Sequence, residues 1–408
     1  MNNSSFINNP DDVVIIEALR TPIGKAKRGS FKDTSPDILL RTVLKSVIDR
    51  SGINPEDIGE ICVGNVLQHG AGASGARIAQ LLAGIPYSVP LSSVNRQCSS
   101  GLQAVANVAA GIKNEYYDIG IAAGVESMSM SNVKDGMPQV DWEAVRECSD
   151  ARDCTLPMGI TSENVASAYS ISREAQDIFS VKSHLKAFKA QKEGRFSTEI
   201  VKVKTKIKNS DGKPHQIEVV KDDGIRPETN FESLSKLKPA FSKDGTTTAG
   251  NSSQVSDGAA AVLLTSRKKA EELGLEILAV FCGYSVEGVP PSVMGIGPSY
   301  AIPSVLKKAG LSISDIDLFE INEAFASQAV YCIQKLELDE NKVNPNGGAI
   351  ALGHPLGCTG ARQVATLLNE LNRTKGKYGI VSMCVGTGMG AAALFRSDSR
   401  ANCPRSSL

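Results

Sequence analysis

The sequence predicts an α/β protein built from two duplicated halves packed face to face, the first interrupted by an insertion. Three observations carry this. First, Ser51-Gly52-Ile53-Asn54-Pro55-Glu56-Asp57-Ile58 is matched by Ala309-Gly310-Leu311-Ser312-Ile313-Ser314-Asp315-Ile316, with Gly52 and Gly310 258 positions apart. Ser100-Gly101 with Val105-Ala106 is matched by Thr359-Gly360 with Val364-Ala365, and Gly120-Ile121-Ala122 by Gly379-Ile380-Val381, both 259 apart. Three matches in one register argue for duplication of a single unit. Second, apolar residues recur at helical spacing between short apolar runs of strand length. Third, those runs are nearly continuous, which suits strands of a sheet covered on both faces.

In chain order, the first ten residues are polar and asparagine-rich and are expected to form a loose tail. An amphipathic helix ends before Gly52 and leads into a strand at Glu60–Val63. After Cys98, Leu102, Val105, Ala106, Ala109 and Ile112 recur at helical spacing, and a strand follows at Ile119–Ala123. Residues of about 128–250 break the repeat. They hold an amphipathic helix over Arg173–Glu193, entered through Ser172 as N-cap. Thr248-Ala249-Gly250-Asn251-Ser252-Ser253 brings the chain back to the first unit. The second unit supplies strands at Leu318–Ile321, Gly379–Met383 and Ala391–Phe395 and a helix at Thr359–Arg373. The expected division is an N-terminal half over 1–276, insertion included, and a C-terminal half over 277–408.

A chain of 408 residues exceeds one compact core. Forty-four basic residues balance 44 acidic ones, which gives no reason to propose nucleic acid or an anionic membrane as partner. No apolar run reaches the ~18 residues of a membrane span. The nine cysteines are odd in number and scattered, with no C-x-x-C, which favours free thiols in a reducing compartment and argues against a structural metal site. Within 182–221, eleven Lys and Arg face four Asp and Glu. That stretch reads either as a solvated face or as an attractor for a polyphosphorylated ligand.

Four residues form a constellation with chemical meaning. Cys98, in Asn95-Arg96-Gln97-Cys98-Ser99-Ser100-Gly101, stands where a strand gives way to a helix. A helix N-terminus favours thiolate over thiol. His354, one of four histidines, lies on a loop shaped by Gly353 and Pro355 in Gly353-His354-Pro355-Leu356-Gly357. Cys384 ends an apolar strand in Cys384-Val385-Gly386-Thr387-Gly388, and Asn322 opens Asn322-Glu323-Ala324-Phe325 after another. Together the four residues supply a nucleophile, a base, an amide and a second thiol. The glycine run 386–390 is followed by a strand rather than a helix, so it fails as a dinucleotide loop.

These motifs, C-S-S-G, N-E-A-F, G-H-P-x-G and C-x-G-x-G in this order, resemble those of the thiolases, and the resemblance extends from Ala18-Leu19-Arg20-Thr21-Pro22 to Ala391-Ala392-Ala393-Leu394-Phe395. The degradative branch that acts on 3-ketoacyl-CoA in peroxisomes is the most similar. The resemblance implies α-β-α-β-α layers and an inserted loop domain covering coenzyme A. It implies retro-Claisen thiolysis in fatty-acid β-oxidation. Cys98 would be the nucleophile, His354 the base and Cys384 the proton shuttle. Asn322 would orient a water, and the N–H groups of Cys98 and Gly386 would hold an oxyanion. Arg226 and Ser253 would contact coenzyme A, and Met158, Met294 and Phe325 would line the acyl path. Coenzyme A would enter as co-substrate, with no permanently bound cofactor or metal. A homodimer or tetramer is implied, in the peroxisome, with cytoplasm and mitochondrion as alternatives. Ser406-Ser407-Leu408 resembles the S-K-L address without its basic residue. Pro157 stands where the biosynthetic branch has a histidine, which favours the degradative type. A biosynthetic acetoacetyl-CoA thiolase and a non-enzymatic acyl-CoA carrier remain the rival readings.

Overall fold

The computed structural model describes residues 8–131 and 139–398. The Ser406-Ser407-Leu408 address, Cys403 and most of the expected N-terminal tail lie outside the described residues. The first half runs β1 (Val13–Arg20), β2 (Gly24–Lys25), α1 (Pro36–Ser51), β3 (Glu60–Gly64), α2 (Ala73–Leu82), β4 (Leu91–Val94), α3 (Ser100–Lys113) and β5 (Ile119–Ser127). The insertion follows: α4 (Trp142–Glu147), α5 (Ser149–Asp153), α6 (Met158–Ala168), α7 (Arg173–Lys192), the hairpin β6 (Val203–Lys208) and β7 (Pro214–Val219), and α8 (Phe231–Ser235). The chain then resumes with β8 (Ser256–Ser266), α9 (Arg267–Glu272), β9 (Ala279–Gly288), α10 (Pro298–Ala309), β10 (Leu318–Ile321) and α11 (Ala326–Lys335). It closes with α12 (Ala349–Leu352), α13 (Leu356–Thr374), β11 (Tyr378–Val385) and β12 (Met389–Ser397).

The two halves share one topology. In the first, β3 is parallel to β4 and β5, while β8 is antiparallel to both β5 and β1. In the second, β10 is parallel to β11, with Val343 beside Phe319 in place of a fifth strand, and β12 is antiparallel to both β11 and β9. The register repeats too: Glu60 faces Gly120 as Leu318 faces Gly379. The outer helices match as well. Both α1 and α10 begin on proline, whose fixed φ suits the first turn. Both end on a left-handed glycine, Gly52 at φ 70° and Gly310 at φ 68°.

The half-sheets are joined at one edge, where Val14 pairs with Val280 and Ile15 with Ala279. Period-two alternation then sorts the core into layers. Ile121, Ala123 and Val125 face α1 through Leu39, Leu40, Val43 and Leu44. Ala122, Val262, Val381 and Met383 meet the central helices α3 and α13 through Leu102, Val105, Val364 and Leu368. Phe319, Ile380 and Leu394 pack under α10. The result is α-β-α-β-α. The central helices cross closely because small residues meet: a Cβ on Gly101 would lie 2.7 Å from the Gly357 carbonyl oxygen, and one on Gly360 2.7 Å from the Leu102 Cβ.

The insertion is fastened to β1 by a buried ion cluster. Arg20 donates from Nε to Glu199 at 2.6 Å and from both terminal nitrogens to Asp222 at 2.7 and 3.0 Å, and it lies over the Phe196 ring at 5.0 Å. A fully buried guanidinium is tolerated because it is paired and hydrogen-bonded on every side. The expected helix forms over Arg173–Lys192, and the Ser172 hydroxyl caps it by accepting from the Ala175 N–H at 3.1 Å.

Candidate active site

Cys98 sits in the tight turn between β4 and α3. The turn requires Gln97 at φ 46°, a left-handed conformation uncommon outside glycine. It is closed by the Ser100 hydroxyl, which accepts from the Arg96 N–H at 2.9 Å and donates to the Gln97 carbonyl at 2.6 Å. The thiol is only 9% exposed. Burial pushes it up to about 11, and Glu126 adds to that rise, while the N–H groups of Gly386 and of Cys98 itself pull the other way. The helix N-terminus therefore does not leave a resting thiolate, as the sequence alone suggests; desolvation outweighs it. The thiol needs a base.

His354 is the residue the resemblance assigns as that base. It follows Gly353, whose φ of 110° and closeness to the Ser256 hydroxyl admit no side chain. The Thr359 hydroxyl donates to the Pro355 carbonyl at 2.9 Å and lies 2.6 Å from His354 Nδ1. With its own hydrogen committed, that hydroxyl accepts from Nδ1–H, which fixes the tautomer with a bare Nε2. Nε2 faces Asn322 Nδ2 at 3.3 Å. Burial, reinforced by Arg362, holds the imidazole far below its usual value, at about 3, so it rests neutral.

Asn322 leaves β10 with its N–H on the Ser382 carbonyl at 2.9 Å, which ties it to β11. Its amide meets His354 directly, and its Oδ1 is buried without a hydrogen-bond partner among the described residues. Cys384, wholly buried near the end of β11, is pushed well above the ordinary thiol range by burial and then by Cys98 and Cys332. The turn after it, with Thr387 at φ 70° and Gly388 at φ 96°, carries the Gly386 N–H to the Cys98 sulfur. Cys384, Met294 and Ala324 form one apolar cluster, against which Met158 and Phe325 pack. The expected lining residues and the second thiol are thus brought together.

Ser253 adjoins this cluster, and Arg226 lies on a separate, exposed segment. The Ser253 N–H bonds the Ala324 carbonyl at 2.9 Å, beside Phe325. Arg226 is exposed, on a segment whose backbone is held by His184 Nδ1 at 3.2 Å from the Arg226 N–H. Sequence reasoning missed several groups that build the site. Thr359 was legible only as half of a repeat. Glu126 is buried and raised to about 7 by burial, and accepts from the N–H groups of Val66, Leu67 and Gly357 at 3.0, 3.3 and 3.0 Å. Glu323 accepts from Ser183, Asn344 and Ile350 at 2.6, 2.8 and 3.2 Å, fastening the loop before His354 to α7. Glu323 had no sequence signal beyond its N-E-A-F motif, and Glu126 had none. Among the described residues no cluster of His, Cys, Asp or Glu suits a metal, and no helix is long and apolar enough to cross a membrane.

Known proteins share this arrangement of elements. The human peroxisomal 3-ketoacyl-CoA thiolase is 63% identical over 385 residues, covering 94% of this chain and 90% of its own. The dimeric peroxisomal thiolase of Saccharomyces cerevisiae superposes with a TM-score of 0.89 at 52% identity, covering 97% of this chain and 100% of its own. The Bacillus anthracis acetyl-CoA acetyltransferase superposes at 0.87 with 39% identity, covering 96% of this chain and 100% of its own. The thiolase N-terminal domain matches residues 13–268 and the thiolase C-terminal domain residues 275–397, so this chain belongs to the thiolase family.

Proposed function

We propose that the chain is a 3-ketoacyl-CoA thiolase of peroxisomal β-oxidation, an acyltransferase that cleaves 3-ketoacyl-CoA with coenzyme A to acetyl-CoA and a shortened acyl-CoA. The observation that carries it is the meeting of Cys98 with the Gly386 N–H, while Cys384 lies in the apolar cluster of Met158, Met294 and Phe325. Identity of 57–63% to relatives named as peroxisomal 3-ketoacyl-CoA thiolases supports substrate and compartment alike.

In the first half-reaction, His354 Nε2 takes the Cys98 proton as the sulfur adds to the C3 carbonyl. The N–H groups of Cys98 and Gly386 hold the resulting oxyanion. The C2–C3 bond then breaks, and its electron pair becomes the enolate of acetyl-CoA. A water oriented by Asn322, together with the protonated His354, holds the thioester oxygen as it becomes the enolate, and Cys384 gives C2 its proton. In the second half-reaction, the Cys384 thiolate takes the proton from the coenzyme A thiol. That sulfur attacks the acyl-Cys98 thioester, and Cys98 leaves with the proton held by His354. Two buried thiols suit this exchange because each stays protonated until a partner removes its proton. Arg226 and Ser253 contact coenzyme A, which is co-substrate rather than resident cofactor. The assembly is a homodimer, as the yeast relative is described.

The test is a thiolysis assay across acyl lengths. Comparable or higher kcat/KM on a long-chain 3-ketoacyl-CoA than on acetoacetyl-CoA is expected. A strong preference for the four-carbon substrate would assign the chain to the biosynthetic type. Full activity of Cys98→Ala in acyl-CoA binding, with no thiolysis by the parent, would make it a carrier.

A further inference from the structure

The segment Asp222–Arg226 is clamped at nearly every residue. Asp222 accepts from Arg20 and from the Ile23 N–H at 2.8 Å. Asp223 accepts from the Ser30 N–H at 2.7 Å and its hydroxyl at 2.8 Å. Arg226 is held at its N–H by His184. Between them, the Gly224 carbonyl accepts from Gln254 Nε2 at 3.0 Å. Gly224 lies so close to the Ala351 carbonyl that it admits no side chain.

Gln254 does more than close this segment. Its Nε2 also lies 3.4 Å from the Ile350 carbonyl and 3.5 Å from that of Ala351, both in α12, the helix that leads to His354. Its backbone carbonyl accepts from the His354 N–H at 3.0 Å and from the Ser256 hydroxyl at 2.7 Å. One residue thus holds the segment bearing Arg226 with its side chain, and the imidazole's own backbone with its main chain. The three partners of Nε2 are all carbonyl oxygens, so that end of the side chain must donate. An amide nitrogen meets that demand and a carboxylate opposes it.

We propose that Gln254 is a positioning residue that couples the seating of coenzyme A at Arg226 to the placement of His354. This rests on the roles given to Arg226 and His354 above. A hydrogen bond of this kind sets geometry, and small misplacements of a catalytic group cost large factors in rate. The amide is the joint between two loops that no shared secondary structure connects.

Gln254→Met and Gln254→Glu keep the length of the side chain and separate donation from filling. Near pH 8, Gln254→Met is expected to raise KM for coenzyme A several-fold and lower kcat about tenfold, and Gln254→Glu to be worse on both. Lowering the pH protonates the introduced carboxyl, which then donates, so Gln254→Glu should regain activity relative to the parent as pH falls toward 6. Thermal unfolding reports whether each variant is folded. Equal loss in both variants with no pH-dependent recovery would mean that the side chain only fills space, and would overturn the proposal. So would parent-like kinetics in Gln254→Glu. Arg226→Ala is the control for the underlying reading: an unchanged KM for coenzyme A there removes the role of Arg226. The pH-dependent recovery of kcat in Gln254→Glu still reports on His354 independently.

Discussion

Position 100 in the first half and position 359 in the second are the same place in a duplicated unit, and each carries a hydroxyl. Ser100 accepts from the Arg96 N–H and donates to the Gln97 carbonyl, which folds the turn that presents Cys98. Thr359 donates to the Pro355 carbonyl, but the residue equivalent to Arg96 is Pro355, which has no N–H to give. The hydroxyl's acceptor capacity passes to the His354 imidazole instead. One local device, placed twice, makes a nucleophile turn in one half and a tautomer lock in the other. The remaining equivalences point the same way. Gly357 stands in the second half where Cys98 stands in the first. It admits no side chain, since a Cβ there would lie 2.7 Å from the Gly64 carbonyl oxygen and 2.8 Å from that of Val125. Asn322 and Cys384 match Gly64 and Val125 of the first half, which offer no polar side chain. The duplicated scaffold supplies matching positions, and single substitutions decide which of them become chemical.

The strongest way to break this comparison is to remove one thiol from each half. Cys98→Ala and Cys384→Ala are each expected to lower kcat by about 10⁴-fold or more. Cys98 should still be alkylated by iodoacetamide in Cys384→Ala. Loss of alkylation there would show that Cys384 activates Cys98 rather than shuttling protons. The hydroxyl pair gives a finer test. Thr359→Val is expected to lower kcat by about 10- to 100-fold by freeing the imidazole tautomer, with Thr359→Ser near the parent. Ser100→Ala should instead slow alkylation of Cys98. Equal effects of Thr359→Val and Thr359→Ser would mean the hydroxyl does not set the tautomer.

A smaller effect is expected where the central helices cross. Gly101→Ala and Gly360→Ala should each destabilise by about 1–3 kcal/mol in denaturant unfolding. Because each glycine faces the other's helix, the double variant should cost less than the two losses together. Strict additivity would mean the contacts are independent.

The smallest effect is in acid. Burial holds His354 at about 3 and, with Arg226, His184 at about 4, against 6.5 for both when exposed. A base lowered on folding stabilises fully above 6.5, and that stability is lost as pH falls toward the folded value, because only the unfolded chain binds the proton. Glu126, raised from 4.5 to about 7, works the opposite way over the overlapping range. The informative measurement is therefore a difference. The stability of His184→Asn relative to the parent should rise as pH falls from 6.5 to 4. A flat difference would mean that His184 is not the group being titrated.

Much of the site was legible in the chain. Cys98, His354, Asn322 and Cys384 are marked by glycine, proline and strand ends close to each residue, and their motifs are local. The repeat was legible because hydrophobic spacing and turn residues are read within a few positions. Element ends were less so. The strand expected at Ile119–Ala123 runs to Ser127, and the helix expected from Thr359 begins at Leu356. Gly124 and Gly357 blurred both boundaries, because what keeps them small is distant backbone, that of Gly357 for the first and of Gly64 and Val125 for the second, and not local propensity.

The sequence by itself determined the α/β units, their duplication, and which residue types stand at the turns, because periodicity, proline and glycine act over one or two turns of chain. Only the tertiary structure decided that the half-sheets join through β1 and β9, that burial raises the Cys98 thiol, and that Gln254 binds two distant loops. Those outcomes depend on desolvation and on hydrogen bonds between residues up to hundreds of positions apart, and neither is written in any local pattern.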